Sequence, residues 1–542
     1  MAYYKDIREL IAGLERANLL IRIDREINKD TQLHPLVRLQ FRGLPEAERK
    51  AFLFTNVTDV SGRRYDIPVV IACLAGSRQI YGVGLQCDPD RISQRWTEAR
   101  NHPIEPVLVA NAPVQEVVQL GAALDKPGQG LETFPIPIST PGFDAAPYTS
   151  ASHFITYDTE TGVRNIGNYR GMVKARTRIG MNAGGQQHIS QHWRKWQKIG
   201  KPMPAAIVIG APPSVSYASV VKIPYGVDEY AVAGGLACEP VPVAKAKTVD
   251  LLVPANAEIV IEGFINTELM EPEAPFGEFT GYMDPQQLNP FMDITCITHR
   301  KNPIFVAMLS QFPPSESSKI RGTGAEGNVL SYLKSKFDNV RKVAFHESTG
   351  SWGLCCVQIS EPKPGQAIEV LDACHESPAV GAKMIIVVDD DIDPRDAEGI
   401  FWAMTFRMQP HRDVRIKPSR LQSADWSAFP PGTGNPGGVH AGTSEVQSTR
   451  MLIDATRPWP YPPVSLPRKE IMEDALELWK QLELPPLDLR APWYGYELGW
   501  WSEENLDAGK IAVQGRYYET GEKMKQARVP VKGVENNEAR RG

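Results

Sequence analysis

The opening of the chain combines a helical pattern of apolar positions with short apolar runs. Ile7, Leu10, Ile11 and Leu14 fall at the spacing that places apolar side chains on one face of a helix. The runs LLIRI and IPVVIACL that follow are typical of short buried strands. The pattern predicts an N-terminal α/β segment over residues 1–125.

The pattern then changes to many short β-branched runs separated by proline, glycine and asparagine. These runs are, in order, HFITYD, NIGNYRGMV, AAIVIGAPP, LLVPANAEIVIEGFI, FMDITCITH and PIFVAML. Strands at this density favour a barrel or a sandwich. We therefore predict a β-rich central domain over residues 126–320.

A helix and a second α/β region are predicted after the central domain. The segment GNVLSYLKSKF predicts a linking helix within residues 321–340. In residues 341–490, strand-like runs are followed by a helix with Asp393 as its cap and Pro394 at its first position. Residues 491–542 are rich in charge and are predicted to form an extended arm with a disordered end. The predicted fold class is multidomain, α+β or α/β.

The composition is that of an ordinary folded protein with several domains. The 542 residues are 42% hydrophobic and 23% charged, and they are too many for one hydrophobic core. A net charge of −5 without a Lys/Arg-rich run argues against nucleic-acid binding, and no window has the ~18 apolar residues of a membrane span. Seven cysteines without a CxxC pair, and an N-terminus without a signal-peptide pattern, predict a cytoplasmic protein with reduced thiols. We expect small-molecule chemistry.

Two distant segments contain the first candidate site. IGNYRGMV places Arg170 in an uncharged run, and EPEAPFGEFTGY carries Glu273 and Glu278 on either side of a turn-prone Ala-Pro-Phe-Gly. Paired carboxylates near one arginine can keep one acid ionised while its neighbour holds a proton. A structural ion pair at a sheet edge is the alternative, because such pairs perturb pKa values without catalysis.

A second candidate site contains histidine. His188 and His192 lie four residues apart in HISQHWRKWQKI, so a helix would place both on one face. The segment lacks the glutamate of an HExxH hydrolase, and a solvated or packed pair is the default for this spacing. Asn165 and Glu229 are candidate oxygen ligands if the fold brings them in. One imidazole with amide and carboxylate oxygens suits Mn²⁺ or Mg²⁺.

Three further motifs have simpler explanations. GTGAEG at residues 322–327 matches GxGxxG without a preceding buried strand, and GTGNPG at residues 432–437 contains a proline and lacks a following helix. Neither run supports a dinucleotide site. The acidic run from Asp389 to Asp391 is explained by a strand-end turn and helix capping more simply than by Mg²⁺.

Several of these segments, taken in order, resemble one known family. NIGNYRGMV, QQHI, IPYGVDE and EAPFGEFTGY look like segments of the UbiD-type decarboxylases that depend on prenylated FMN. The opening KDIRELIAGLERANLLIRIDREI and the later VVDDDIDP and MLIDATRPW extend the resemblance to residues 3–465. It implies an FMN-binding split-β-barrel-type central domain, a linking helix, and a C-terminal α/β domain that assembles homodimers or homohexamers.

The resemblance also implies roles for individual residues. The catalytic set matches Arg170, Glu273 and Glu278. In the family, three residues bind a divalent metal, usually Mn²⁺, and this metal is held against the cofactor phosphate. These three ligands correspond here to Asn165, His188 and Glu229. A family residue that contacts the cofactor corresponds to Gln187. A segment that cradles the cofactor and contributes to a K⁺ site corresponds to Ala218, Ser219 and Val221. Arg450 stands where the family usually has a lysine near the phosphate, and arginine keeps the charge but changes the contact geometry.

The implied function is reversible non-oxidative decarboxylation, or carboxylation, of an aromatic or α,β-unsaturated carboxylic acid. Loss of CO₂ from an sp² carbon leaves an electron pair that the ring cannot delocalise, so a cofactor must act as electron sink. Arg170 is predicted to orient the carboxylate, Glu273 to hold Arg170, and Glu278 to deliver the proton. The expected partners are the acid, CO₂ and a flavin prenyltransferase that supplies the cofactor.

Two other classes of enzyme are alternatives. A metal-dependent hydrolase would use His188, His192 and Glu229 and need no flavin. An FMN-dependent oxidoreductase on a split barrel would oxidise NAD(P)H. Within the favoured class, Tyr169 beside Arg170 favours an aromatic acid, hydroxylated aromatic acids included.

Overall fold

A computed structural model describes residues 3–182, 187–419, 426–428 and 448–528 of the chain. The N-terminal unit contains the helices α1 (Ile7–Arg16), α2 (Leu33–Gly43), α3 (Arg78–Leu85) and α4 (Ile92–Asn101). Its strands are β1 (Leu20–Ile23), β2 (Ile27–Asn28), β3 (Ala51–Phe54), β4 (Val57–Thr58), β5 (Arg64–Tyr65) and β6 (Val69–Ile71). The four apolar positions that predict the opening helix are all buried on one side of α1, which confirms that prediction.

The central unit is rich in strands, as its β-branched runs predict. Its helices are α5 (His188–Lys198), α6 (Pro213–Val220) and α7 (Glu229–Ala237). Its strands are β7 (Val107–Leu108), β8 (Val117–Leu120), β9 (Tyr148–Thr149), β10 (His153–Tyr157), β11 (Arg164–Asn168), β12 (Gly171–Ala175), β13 (Arg178–Gly180), β14 (Met203–Ile209), β15 (Pro242–Lys245), β16 (Leu252–Pro254), β17 (Ile259–Ile265), β18 (Glu271–Glu273), β19 (Phe276–Gly277), β20 (Met283–Asp284), β21 (Gln287–Asn289), β22 (Phe291–His299) and β23 (Phe305–Ala307).

The main sheet of the central unit curls so that its two ends approach each other. Its strands follow the order β11-β10-β14-β17-β22-β13-β12-β9, with β8 also paired to β22. Strands β11 and β12 stand near opposite ends of this order, yet only Tyr169 and Arg170 separate them in the chain. Because such a step spans at most about 11 Å, the two edges must lie close together. Arg170 is therefore at the seam of a strongly curved, half-barrel sheet.

The remaining elements begin with the long helix α8 (Glu316–Lys334). The C-terminal strands are β24 (Val340–Phe345), β25 (Leu354–Ile359), β26 (Met384–Asp389), β27 (Val414–Ser419) and β28 (Ser448–Asp454), in the order β24-β25-β26-β28-β27. The helices that follow α8 are α9 (Gln366–Glu376), α10 (Ala397–Phe406), α11 (Pro410–Asp413), α12 (Lys469–Gln481), α13 (Glu503–Ala512) and α14 (Tyr517–Gln526). The multidomain α+β class is thus confirmed, while the domain boundaries and an assembly role for the C-terminal unit stay predictions.

The buried apolar residues form three clusters. One continuous core joins the N-terminal unit to the central sheet and ends at Ile320 in α8. Two smaller clusters lie on the two faces of the C-terminal sheet, and α8 contributes Val329 and Leu333 to one of them. The linking helix therefore packs its two halves into different cores. No helix among the described residues is both long and apolar enough to cross a membrane.

The start of helix α10 differs from the prediction. Asp396, and not Asp393, caps the helix by accepting hydrogen bonds from the backbone N–H groups of Glu398 and Gly399. Asp393 instead accepts from the N–H of Arg395 at 2.9 Å, in a turn that precedes the helix. The sequence DPRD offers two acidic caps, and the prediction of Asp393 with Pro394 was wrong by one turn.

The run GTGAEG lies inside α8, where its glycines permit close packing. A Cβ atom on Gly322 would lie 2.5 Å from Cβ of Ser351, and one on Gly327 would lie 2.6 Å from the carbonyl oxygen of Ser93. The helix therefore begins at Glu316, earlier than GNVLSYLKSKF predicts, because contacts with neighbours outweigh the low helix propensity of glycine. The second glycine motif, residues 432–437, and the end of the arm, residues 529–542, lie outside the described residues.

Replacing Gly324 by alanine is expected to destabilise the protein by about 1–3 kcal/mol, because a Cβ there would overpack the core. It would lie 2.5 Å from Cγ2 of Val221 and 3.4 Å from the ring of Trp96. Differential scanning calorimetry measures the change. Gly509→Ala in α13 is the matched control, since its Cβ would meet nothing within 4 Å, and it should be neutral or stabilising by up to about 1 kcal/mol. Equal melting temperatures for Gly324→Ala and the unaltered protein would contradict the packing role.

Candidate active site

Arg170 occupies the short connection between β11 and β12, where the backbone leaves one edge of the curved sheet for the other. The preceding residue, Tyr169, is held by its backbone N–H, which donates to the carbonyl oxygen of Ser152 at 3.1 Å. The following residue must be small, because a Cβ on Gly171 would lie 2.6 Å from Oγ1 of Thr149. The backbone of the Tyr-Arg-Gly connection is therefore held in place, and with it the position from which the Arg170 side chain extends.

The second predicted segment forms a long β-hairpin, residues 271–289, which we call the acidic hairpin. Strand β18 pairs with β21, and β19 pairs with β20, so that Glu273 is opposite Gln287 and Phe276 is opposite Asp284. The hairpin turns at Glu278, whose carbonyl oxygen accepts from the N–H of Gly281 at 2.9 Å. Gly281 has φ +95°, a conformation that favours glycine. Register and turn together place three acidic side chains near the seam.

The fold brings Arg170, Glu273 and Glu278 into contact. Nε of Arg170 donates to Glu273 at 2.7 Å, and Nη1 donates to Glu278. Nη2 lies 3.5 Å from a carboxylate oxygen of Asp284. The guanidinium carbon is 5.2 Å from the centre of the Phe276 ring, which covers one face of the group. The predicted set therefore meets, although more than 100 residues separate the arginine from the hairpin.

Sequence reasoning missed two members of this cluster. Asp284 follows Glu278 by six residues on the returning strand of the hairpin, and the Gly281 turn is the signal that could have revealed it. Asn182 also contacts Arg170. When its side-chain amide is oriented with the oxygen towards the guanidinium, that oxygen accepts a hydrogen bond from Nη2 at 2.7 Å. No local pattern marks Asn182, because it reaches the site only through the curvature of the sheet.

Burial controls the electrostatics of the cluster. Burial disfavours the charged form of Arg170 and by itself would lower its pKa. The attraction of the facing carboxylates is stronger than this effect, so the pKa of Arg170 is raised above its usual value. Burial likewise raises the pKa of Glu273, against the attraction of Arg170. It raises the pKa of Asp284 to about 6, with a further contribution from the negative charge of Glu278. These acids therefore bind protons more strongly than exposed carboxyl groups do.

Solvent exposure distinguishes the three acids. The side chain of Glu278 is 26% exposed, whereas those of Glu273 and Asp284 are 1% and 2% exposed. Glu273 is further fixed by Asn289, whose side-chain nitrogen donates to it at 2.8 Å. Glu278 is therefore the carboxyl group of this cluster that a bound molecule can reach.

The predicted metal ligands fit a cation in their chemistry. Glu229, at the start of α7, is buried and accepts from the backbone N–H of Ile166 at 2.9 Å, directly beside Asn165. Burial raises the pKa of Glu229 to about 8, so a nearby positive charge would favour its ionised form. The side-chain nitrogen of Asn165 is buried without a hydrogen bond, and turning this amide would offer its oxygen instead.

His188 lies at the start of α5, near the same region. Burial lowers its pKa, with a smaller contribution from Lys222, which favours the neutral imidazole that a metal requires. The phenol of Tyr169 lies next to both the Asn165 side chain and the backbone N–H of Ile189. Among the described residues, no group of three or more His, Cys, Asp and Glu side chains is arranged to hold a metal. Binding of a divalent metal therefore stays a prediction, and it requires the side-chain oxygen of Asn165 as a ligand beside His188 and Glu229.

His192 has the packing role expected for the second histidine of the pair. It is buried, and its Nδ1 lies 2.9 Å from the hydroxyl of Thr156. The arrangement gives no support to a hydrolase that would use both histidines.

The other predicted cofactor residues lie in three separate places. Ala218, Ser219 and Val221 are buried at the end of α6, where the Ser219 hydroxyl is 2.6 Å from Nδ1 of His153. Gln187 is exposed immediately before α5. Arg450 lies on β28, where it donates to the carbonyl oxygens of His375 at 3.0 Å and Val380 at 2.7 Å. These bonds give Arg450 a structural role within the C-terminal unit, and its contact with a cofactor stays a prediction.

The acidic run at the end of β26 forms the strand-end turn that the sequence predicts, in which the N–H of Ile392 donates to the carbonyl oxygen of Asp389 at 3.2 Å, and its side chains bind arginine. Arg407 donates to Asp389 at 2.8 Å and to both oxygens of Asp391 at 2.7 and 2.6 Å. Arg457 adds a contact to Asp389 at 3.2 Å. The run is thus part of a buried ion-pair network.

Comparisons with known proteins identify the family of this chain. Three family models of 3-octaprenyl-4-hydroxybenzoate carboxy-lyase match in order: its N-terminal domain at residues 11–100, its Rift-related domain at 107–313 and its C-terminal domain at 319–455. An uncharacterized protein of Archaeoglobus fulgidus is 32% identical over 479 residues, which cover 84% of this chain and 92% of that protein.

Solved structures give the same result. An evolved dimeric form of the UbiD-class enzyme HmfF from Pelotomaculum thermopropionicum, in complex with prFMN, is 28% identical over 85% of this chain and 97% of that chain, with a TM-score of 0.72. The open form of vanillic acid decarboxylase from Sedimentibacter hydroxybenzoicus is 28% identical over 89% of this chain and 100% of that chain, with a TM-score of 0.73. The chain therefore belongs to the UbiD family of carboxy-lyases, as the ordered motifs of its sequence predict.

Proposed function

We propose that this protein catalyses the reversible, non-oxidative decarboxylation of an aromatic or α,β-unsaturated carboxylic acid with prenylated FMN. The observation that carries the proposal is the buried cluster in which Arg170 binds Glu273 and Glu278 while only Glu278 among the contacting acids is partly exposed. Family membership and the prFMN bound to the related HmfF support the cofactor.

Arg170 orients the substrate. Glu273 fixes one side of the guanidinium, and Asn289 fixes Glu273 in turn, so Arg170 has little freedom to move. A substrate carboxylate near Nη1 would take over the bond that Glu278 makes in the free protein, since the two are chemically alike. Binding would thus release Glu278 towards the substrate and hold the carboxylate in a defined place.

Glu278 delivers the proton. As CO₂ leaves, the bond from the carboxyl carbon breaks and its electron pair stays with the substrate carbon. The prenylated flavin, when bound, supplies the electron sink for that pair. The O–H bond of Glu278 then breaks as the new C–H bond forms, and the carboxylate that remains is stabilised by Arg170. Carboxylation is the same sequence in reverse.

The cofactor would be held by the other predicted residues. Asn165, His188 and Glu229 would hold Mn²⁺ or Mg²⁺ against its phosphate, with K⁺ near Ala218, Ser219 and Val221, and Gln187 in contact. A flavin prenyltransferase would supply the cofactor, and the chain would assemble into a homodimer or homohexamer. The vanillic acid decarboxylase among the structural relatives supports an aromatic, hydroxylated acid as the substrate.

Protein co-expressed with a flavin prenyltransferase tests the proposal. A panel of aromatic, heteroaromatic and acrylic acids, together with their decarboxylated products, is incubated in D₂O and followed by NMR. We expect at least one product to exchange its proton at the former carboxyl position, and protein made without the prenyltransferase to show no exchange. NAD(P)H oxidation by unmodified FMN, or chelator-sensitive hydrolysis by a colourless protein, would refute the proposal.

A further inference from the structure

A second guanidinium lies beside the acidic hairpin. Arg321, in the first half of α8, is partly buried, and its guanidinium carbon is 4.3 Å from the centre of the Phe279 ring and 5.5 Å from that of Trp352. Its Nη2 donates to the carbonyl oxygen of Gly350 at 3.3 Å. Phe279 directly follows Glu278 at the turn of the hairpin, so Arg321 lies close to the acid that a bound molecule can reach.

The charge of Arg321 is not balanced by a carboxylate. Within the described ranges of the chain, its guanidinium forms no ion pair with an aspartate or glutamate, and its Nε is buried without a hydrogen bond. Burial lowers the pKa of Arg321 to about 10, because it outweighs a weaker attraction to Glu278. The carboxylates that face Arg170, by contrast, raise the pKa of that arginine. A buried cation without a paired anion is unfavourable, so Arg321 is suited to receive one.

The neighbours of Arg321 leave most of its hydrogen-bonding capacity unused. Phe279 and Trp352 favour a positive charge over their rings, but they offer no oxygen to its N–H groups. Trp352 is itself held by Phe345, whose ring is stacked on it with 5.9 Å between the ring centres. Because a guanidinium donates in its own plane, the group that best satisfies it presents two oxygens in that plane, as a carboxylate does.

Glu278 connects the two arginines. Nη1 of Arg170 donates to Glu278, and the same carboxylate attracts Arg321. Arg170 faces three carboxylates, whereas none of the acids that the structure describes forms an ion pair with Arg321. A molecule bound beside Glu278 therefore meets one guanidinium whose charge is balanced and one whose charge is not. A second negative group on that molecule is best placed at Arg321.

We propose that Arg321 determines substrate specificity by binding a second anionic oxygen group of the substrate, while Arg170 orients the carboxylate that is lost. The inference rests on the proposed function and narrows its substrate class to aromatic acids that carry a further carboxylate or phenolate. Both groups offer negatively charged oxygen in the plane of the ring. A carboxylate offers two oxygens and a phenolate one, so dicarboxylic acids should bind more tightly.

Binding titrations by calorimetry test this preference on protein purified without the flavin prenyltransferase, so that turnover does not disturb the measurement. The probes are benzenedicarboxylates, hydroxybenzoates and methylbenzoates with the second group at matching ring positions. We expect at least one benzenedicarboxylate to bind about tenfold to a hundredfold more tightly than its methyl counterpart. Arg321→Gln should remove this difference and leave the affinity for methylbenzoates unchanged. Arg321→Lys should restore only part of it, since lysine keeps the charge without the planar fork.

Arg63→Gln is the matched control. The guanidinium carbon of Arg63 lies 4.8 Å from the centre of the Tyr65 ring, and its Nη2 donates to the carbonyl oxygen of Gly128 at 3.4 Å, but Arg63 belongs to the N-terminal unit. This variant should change no affinity. Melting temperatures report whether each variant is folded. If Arg321→Gln does not fold, Arg321→Lys decides the question, since it should weaken the binding of dicarboxylates and not that of methylbenzoates.

The outcomes separate this inference from the proposed function. A preference confined to the hydroxybenzoates would support the inference and identify the second group as a phenolate. Equal affinities for all three sets of acids, or an equal loss for all of them when Arg321 is replaced, would overturn it and leave Arg321 a packing role. Decarboxylation is assayed separately with the cofactor-loaded protein. If no acid reacts there, the proposed function fails while the titrations still decide the role of Arg321.

Discussion

Glu278→Gln is expected to lower the rates of decarboxylation and of proton exchange about 10²–10⁴-fold, the usual contribution of a general acid. Glutamine has nearly the same shape, so the hairpin turn and its hydrogen bond from the N–H of Gly281 should persist. Arg170 keeps its bond to Glu273, so the place that orients the carboxylate is retained. The loss therefore falls on kcat, because glutamine has no carboxyl proton to deliver.

The measurement is single-turnover and steady-state kinetics on cofactor-loaded protein, with the flavin spectrum recorded for each variant. Glu271→Gln is the matched control. It lies on the same hairpin, its side chain is 24% exposed compared with 26% for Glu278, and it forms ion pairs with Lys174 and Arg178. We expect Glu271→Gln to retain activity. Full activity in Glu278→Gln would refute the assigned role of this acid.

His188→Ala is expected to yield protein that has lost both the divalent metal and the flavin. Three ligands from β11, α5 and α7 are proposed to hold the ion, and an open site with only Asn165 and Glu229 has little affinity. Because the ion is proposed to bridge the protein and the cofactor phosphate, loss of one removes the other. Elemental analysis and the visible absorbance of protein purified after co-expression measure the two losses.

His192→Gln on the same helix is the control for His188→Ala. Glutamine can still hydrogen-bond to the Thr156 hydroxyl that His192 contacts, so the packing of α5 should be retained. We expect this variant to keep metal and flavin. A His188→Ala protein that retains both, or a His192→Gln protein that loses both, would exclude the proposed ligand set.

Local patterns predict much of the fold. The spacing of Ile7, Leu10, Ile11 and Leu14 gives α1, and the β-branched runs give the strands of the central sheet. Local patterns are less successful where packing overrides propensity. The glycines of GTGAEG resemble a phosphate-binding loop, but they belong to a helix that packs closely against residues of other segments. A pattern cannot reveal this, because the neighbours come from distant parts of the chain.

The candidate site was also only partly predictable from the sequence, because its residues come from distant parts of the chain. Arg170, Glu273 and Glu278 were identifiable from their unusual settings, and the structure brings them together. Asp284 and Asn182 were not, since the first depends on hairpin register and the second on sheet curvature. Arg450 matched a motif, yet its guanidinium binds carbonyl oxygens of the C-terminal unit.

The sequence by itself determined the family, the alternation of helices and strands, and the residue types available for chemistry, since these depend on order and local spacing. Only the tertiary structure decided which side chains meet. A two-residue connection across the edges of a curved sheet places Arg170, and the pairing of one hairpin places the acids around it. Exposure then separates Glu278 from Glu273 and Asp284, because burial depends on everything packed around a residue and not on its neighbours in the chain.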